Sequence, residues 1–489
     1  MSQSLQLGAL WGEVKDWRQH WSTRHFFKAI IFGLALTLYD SGSDFSFARS
    51  VPDEICLNQT FPFKPSGTWC VIAPKSVELL TYTFIALPGL LLGFSGLQSL
   101  VTRLIARCCA GQIPEKLQAV ANCVALLIQV SFSAGLFYAA VFHNNWNEEA
   151  PESVFNAYVF KIKAMSFVSA AFIIGVKTLG VFCHGSETKR LVLWATGAEA
   201  RYEAALQLAL LTTIFLSSGT WTAESLQSAM SSILVMGKVG VESFFTELER
   251  DRKLTKASLF GKIFVSTSVL PVFVLTSLFK IGTIATASAW GGKIGASVLI
   301  LLALLPSALA IFIVRTCLRL EDLSVTSISQ GISAELVSLH LWPCGQTGKR
   351  IGLGVTIFKV LLFSSMLVWV FNNPDNEFVD YKLSRLKKYE ANFAQAPPDE
   401  LMLLEGYKKT VEKWARETTT RLRIASICCL VIGWVTLPLI LGQVFYRDVY
   451  IEKLEDNCLV AQEEEEQGTG IEVEKGKTQT MNQENEIEE

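Results

Sequence analysis

Residues 26–48 read FFKAIIFGLALTLYDSGSDFSFA, and this stretch decides the fold. It opens on an apolar run, and its length suits a crossing of roughly 30 Å of hydrocarbon by an α-helix of about 20 residues. Lipid offers the backbone no hydrogen-bond partners, so a segment of this kind closes its own bonds as a helix. Comparable stretches recur at 76–102, 118–142, 155–182, 191–216, 222–245, 258–280, 294–316, 351–371 and 424–446. Together they predict an all-α, polytopic transmembrane helical bundle of about ten hydrophobic segments. The fifth and sixth segments carry several charges, which suits re-entrant or broken helices.

The composition agrees. Of 489 residues, 50% are hydrophobic and 18% charged, below the roughly 25% charged residues of a soluble domain. Mean hydropathy is +0.35. The net charge of −2 gives no pull towards nucleic acid. Residues 1–25 hold Trp11, Trp17 and Trp21 with Lys15, Arg18 and Arg24, and are expected to form an interfacial cytosolic segment rather than a cleaved signal. Residues 26–446 form the transmembrane domain. Residues 447–489, with Glu463 to Glu466 in a row, read as a disordered acidic cytosolic tail, either simply solvated or regulatory.

Loop charge sets the orientation. Segments 103–117, 183–190, 246–257 and 315–350 are basic, whereas 143–153 and 217–220 carry no Lys or Arg. Positive-inside counting puts both termini in the cytosol. The external loop 49–75 then contains the glycosylation sequon Asn58-Gln59-Thr60 and two cysteines, Cys56 and Cys70. An oxidising compartment would let those cysteines pair, the alternative being two free thiols. The loop 372–423 is basic although the count places it outside. Its pattern is a helical hairpin broken at Pro397-Pro398 and lying over the bundle; one miscounted span would make it cytosolic. Cys108-Cys109 is a palmitoylation candidate or a pair of small buried residues. The segments Phe84–Leu91 and Leu302–Leu309 echo each other around Pro88 and Pro306, as two pseudo-repeats would.

Charges inside the spans carry the functional signal, because each costs several kcal/mol in lipid unless paired or hydrated. Asp40 and Asp44 are four apart, hence on one helical face, with Ser41, Gly42 and Ser43 keeping that turn slim. Glu199, Glu203 and Gln207 form a second stripe at the same spacing, with Arg201 off it. Lys177, Lys238 and Glu242 complete the set, and Asn122 and Gln129 share a face of the third span. Two readings are open. The charges pair to lock helices together, or they line a polar track that a charged substrate follows. Catalytic and metal-binding motifs are absent: there is no phosphate-binding glycine loop, no His-Glu-x-x-His, no Gly-x-Ser-x-Gly and no Cys-x-x-Cys. Neither an enzyme nor a cofactor is expected.

Asp40-Ser41-Gly42-Ser43-Asp44, followed by Phe84-Ile85-Ala86-Leu87-Pro88-Gly89, resembles the opening of the XK-related membrane proteins. The segments Glu199 to Leu210 and Ser225 to Lys238 resemble that family's glutamate-bearing helix and the serine-rich helix after it. The resemblance covers about the first half of the chain. The proline that often precedes the Gln-Leu run is replaced by Ala205 and Leu206. The resemblance implies a phospholipid scramblase of the plasma membrane, or a subunit of one, with membrane phospholipids as substrate and an accessory membrane subunit or a second copy as partner. Headgroups would pass along Asp40, Asp44, Glu199, Glu203, Gln207 and Lys238. It also implies caspase control of the tail in some members; here Asp448 and Asp456 lack an Asp three residues earlier, so no such cleavage is expected. A solute or ion transporter or channel, or a non-transporting subunit, would use the same charges.

Overall fold

The architecture comes from a computed structural model. It describes residues 7–15, 26–27, 29–60, 68–70, 74–108, 152–183, 185–252, 270–292, 346–374, 377–392 and 408–441, with a few isolated positions. The expected third span (118–142), the eighth (294–316) apart from Gly295, residues 258–269 of the seventh and the tail lie outside the described residues, as do Asn122, Gln129 and Cys109.

The described residues are helical almost throughout. Helix α1 is Leu7–Lys15. A π-helical turn, Ile30–Ala35, leads into α2, Leu36–Ile55. A short antiparallel hairpin follows, β1 Cys56–Thr60 and β2 Thr68–Cys70. Then come α3 Pro74–Cys108, α4 Glu152–Phe182 and α5 Ser186–Glu199. A second π-turn, Ala200–Ala204, joins α5 to α6, Ala205–Ser218. Helix α7 is Ala223–Arg252 and α8 is Leu270–Gly292. The last three are α9 Gln346–Asn372, α10 Glu377–Asn392 and α11 Lys408–Leu441.

Five of these helices are long and apolar enough to cross a membrane: Lys75–Gly93 in α3, Val159–Phe182 in α4, α8, Gly354–Asn372 in α9, and α11. Their burial grades from centre to rim. The α3 span is 83% buried and the α11 span 28%, so α3 is central and α11 peripheral. The exposed side chains of α11 include Ile424, Ile427, Val431, Trp434 and Leu439. Helix α7 inverts a soluble pattern: Leu226, Met230 and Leu234 face out while Ser225, Ser228, Ser231 and Ser232 face in. Outward apolar stripes over a polar interior are what lipid as solvent requires. The chain is therefore an integral membrane protein.

Helices α2, α3, α4, α6 and α7 make one core, with Phe47, Leu79, Ile85, Ile162, Leu211 and Met236 in it. Pro88 lies inside α3, and the neighbouring Gly89 N–H donates to Ser169 Oγ of α4 at 2.8 Å. A Cβ at Gly89 would come within 2.6 Å of Ser169 Cα. The two helices thus touch through backbone, a close approach typical of small residues in membranes. A second core joins α8, α9 and α11 around Phe279 and Phe363, whose rings are 5.7 Å apart.

Leu216, Ala285, Ala289, Val370 and Leu422 cluster together, and Trp290 Nε1 donates to Asn373 O. The ends of α6, α8 and α9 and the lower part of α11 therefore share one face. In the loop expected to form a helical hairpin two helical stretches are described, while its break at Pro397-Pro398 lies outside the described residues. These stretches, α10 and the first turns of α11, are tied by Lys408–Glu390 at 2.9 Å and bury Val379, Leu386, Val411 and Trp414.

Ser217 O at the end of α6 is the hub beneath this hairpin. It accepts from Trp414 Nε1 at 2.8 Å, Thr418 Oγ1 at 3.3 Å and Arg421 Nη2 at 3.3 Å, while Arg421 Nε donates to Leu216 O at 3.0 Å. Gly219, at φ +81°, closes the helix beside the Arg421 guanidinium. A helix leaves its last carbonyls without partners, and α11 supplies them here. Arg421→Ala removes two of these bonds and is expected to cost about 2–4 kcal/mol. A thermal melt in detergent reads this as a lower Tm; an unchanged Tm would mean that Trp414 and Thr418 suffice.

Three expectations need correction. The seventh span was set at 258–280, yet α8 continues to Gly292, where φ is +56°. A charge usually closes a span, but Lys280 is 0% exposed in mid-helix and Ile281, Ile284, Ala285 and Ala289 pack on beyond it. The tenth span, set at 424–446, belongs to a helix that already begins at Lys408. The segments 191–216 and 222–245 are not broken: the first is continuous through a π-turn and the second is one helix.

Candidate functional site: a buried acidic seam

Asp40 and Asp44 both lie on the inner face of α2, each 0% exposed. Their spacing of four does what helix geometry dictates. Opposite them comes Glu203, 4% exposed, from the π-turn. One carboxylate oxygen from each of Asp40, Asp44 and Glu203 lies within 4.8 Å of the others. These are the residues that could hold a cation, since hard cations such as Ca²⁺ take carboxylate oxygens.

The π-turn positions the glutamates. Its bonds run five residues back, as from Ala205 N–H to Ala200 O. This widens the turn and keeps Glu199, Glu203 and Gln207 in line along the inner face, at 1%, 4% and 0% exposure. Lys177 of α4 closes one end. Its Nζ donates to Glu199 Oε2 and to Thr37 Oγ1, one turn before Asp40 on α2.

Serines supply most of the remaining contacts. Ser228 Oγ of α7 donates to Asp44 Oδ1. Ser43 Oγ bonds Asp40 O at 2.8 Å and Ser231 Oγ at 2.9 Å, which stitches α2 to α7. Ser231 Oγ lies beside Asp40 and donates to Ser228 O at 2.9 Å. By geometry both Asp40 oxygens lack a hydrogen-bond partner among the described residues. So do Asp44 Oδ2, Glu199 Oε1, Glu203 Oε1 and both polar atoms of Gln207. Leaving a buried polar atom unpaired costs about 1–3 kcal/mol, more for a charge. A purely structural lock would not collect so many.

The sequence set is sorted by this geometry. Asp40, Asp44, Glu199, Glu203, Gln207 and Lys177 come together. Arg201 turns back along its own helix, its Nε donating to Gly197 O at 2.6 Å. Lys238 is half-buried on α7, about 15 Å along the axis from Ser228 at 1.5 Å per residue. The Glu242 side chain lies outside the described residues. Gly42 does not slim the contact: it is exposed, and a Cβ there would meet nothing within 4 Å. Sequence reading missed Thr37, and it missed Lys280 and Lys359, both fully buried in α8 and α9. A lysine within an apolar run was the signal for those two.

Comparison with protein-family models, with curated proteins and with solved structures finds no match for this chain.

Proposed function

We propose that the chain is an ATP-independent phospholipid scramblase resembling the XK-related proteins, moving headgroups along the Asp40–Asp44–Glu203–Glu199–Gln207 seam. The observation that supports this is the set of buried carboxylate and amide atoms without partners, gathered from α2, the π-turn and α6. Such atoms can exchange bonds with a passing polar headgroup while the acyl tails stay in lipid. Each seam side chain is sealed in the present conformation, so scrambling requires α2 to part from α7 or the π-turn. The reading includes a bundle of about ten segments, both termini in the cytosol, residence in the plasma membrane, and a glycan on Asn58. Purified protein in liposomes with a fluorescent lipid tests it. Dithionite should bleach well beyond the outer-leaflet fraction; bleaching that stops there under all activating conditions would remove this reading.

A second reading has its own support. The three carboxylates of Asp40, Asp44 and Glu203, closed off from lipid, suit an ion transporter or channel. Liposomes loaded with cation-sensitive dye separate the two, since that reading predicts cation flux without lipid flux.

The hairpin sets Cys56 directly opposite Cys70 in its register. Among the described residues no disulfide is formed, and the side chains of these two cysteines lie outside them. The register supports a Cys56–Cys70 bridge, since opposed strand positions bring Cβ atoms to about 4.5–5.5 Å, near the range that a bridge needs. The bridge predicts that neither cysteine reacts with maleimide before reduction; labelling of both in unreduced protein would oppose it.

A further inference from the structure

Helix α5 carries Glu199 at its last position, and its first turn is held from outside. Its N-cap residue is Gly185, which has no side chain to cap it. Glu13 of α1 does this instead. Its Oε1 accepts from Glu187 N–H at 3.0 Å, and its Oε2 accepts from Thr188 N–H and Thr188 Oγ1, both at 2.9 Å. A carboxylate at a helix N-terminus satisfies orphan donors and meets the positive end of the helix dipole. The approach is so close that a Cβ on Gly185 would collide with the Glu13 carboxylate. Beside this contact Cys183 is buried, and its thiol is pushed up by burial and then by the Glu13 charge. On the far side of α1, two residues and so roughly 200° from Glu13, Trp11 stands 73% exposed.

We propose that α1 is a latch, with Glu13 as the positioning residue that holds α5, and through it Glu199 and the π-turn, in the closed arrangement of the seam. Helix α5 is an uninterrupted rod from the cap to Glu199. Past Glu199 the π-turn is the joint that absorbs a shift, and such turns recur at functional sites. Withdrawal of α1 into the lipid interface, where Trp11 and Lys15 are suited to sit, frees the cap and loosens the Lys177–Glu199 end of the seam. The latch adds to the proposed function a control point for the same seam and rests on that reading only for its effect on flux.

The test uses full-length protein in nanodiscs of phosphatidylcholine and phosphatidylserine, as wild type, Glu13→Gln and Gly185→Ala. The first variant keeps the side-chain volume and removes the charge. The second keeps Glu13 and displaces it. Maleimide labelling of Cys183, read by peptide mass, and hydrogen exchange over 186–207 are measured. Both variants should label about tenfold faster, the effect of losing a good cap, and should exchange faster as far as 199–207. Unchanged labelling of Cys183 in Gly185→Ala, or faster exchange confined to 186–190, would overturn the latch. In liposomes the variants should raise basal lipid flux. If wild type and variants alike move no lipid, the scramblase reading fails, while labelling and exchange still decide the latch.

Discussion

Lys177→Met lowers stability by about 3–5 kcal/mol, the usual cost of stranding one member of a buried ion pair. Lys177 Nζ is held between Glu199 and Thr37, at 3% residue exposure. Without it Glu199 loses its ion-pair partner while Asp40, Asp44 and Glu203 stay close by. The expected readout is a sharp fall in Tm, or in monodisperse yield, by fluorescence-detected size exclusion. Adding Glu199→Gln should restore most of the loss, because an amide needs no counter-charge. A single variant that melts like wild type would mean that another cation closes the seam.

Asp40→Asn acts in the opposite sense. Both Asp40 oxygens lack partners, and Asp44 and Glu203 crowd the same space. Replacing the carboxylate by an amide removes like-charge repulsion at constant shape. Tm should therefore hold or rise, by a gain of about 1–2 kcal/mol. Lipid flux should fall about tenfold or more, because the substrate loses a charged partner inside the seam. Stability and flux measured on the same preparation separate function from support. A fall in Tm with flux per folded molecule unchanged would make Asp40 a structural residue. Strained or unsatisfied groups retained at a cost are characteristic of working sites, and this variant measures that cost directly.

Much of this was legible in the chain, and particular residues show why. Asp40 and Asp44 fall on one face because a helix repeats every 3.6 residues, which spacing alone reveals. Glu199, Glu203 and Gln207 keep their alignment for the same reason, helped by a π-turn that no sequence signal announced. Lys280 misled the reading of α8: hydropathy registers a charge as a boundary, whereas a buried lysine with partners continues the helix. Arg201, Lys238 and Lys177 were all candidate partners for the acids in sequence. Only packing tells them apart.

The opening stretch 26–48 therefore determined by itself a helix that carries two carboxylates on one face. Length, hydropathy and helical period are local properties and need no partner. What only the tertiary structure decided is what those carboxylates meet: Glu203 from a π-turn some 160 residues later in the chain, Lys177 at one end, and the serines of α7 against them. Those contacts depend on which helix faces lie together, and that is set by the close approach of small residues and by the capping of helix ends by distant side chains. Neither is recorded in the order of residues along any one helix.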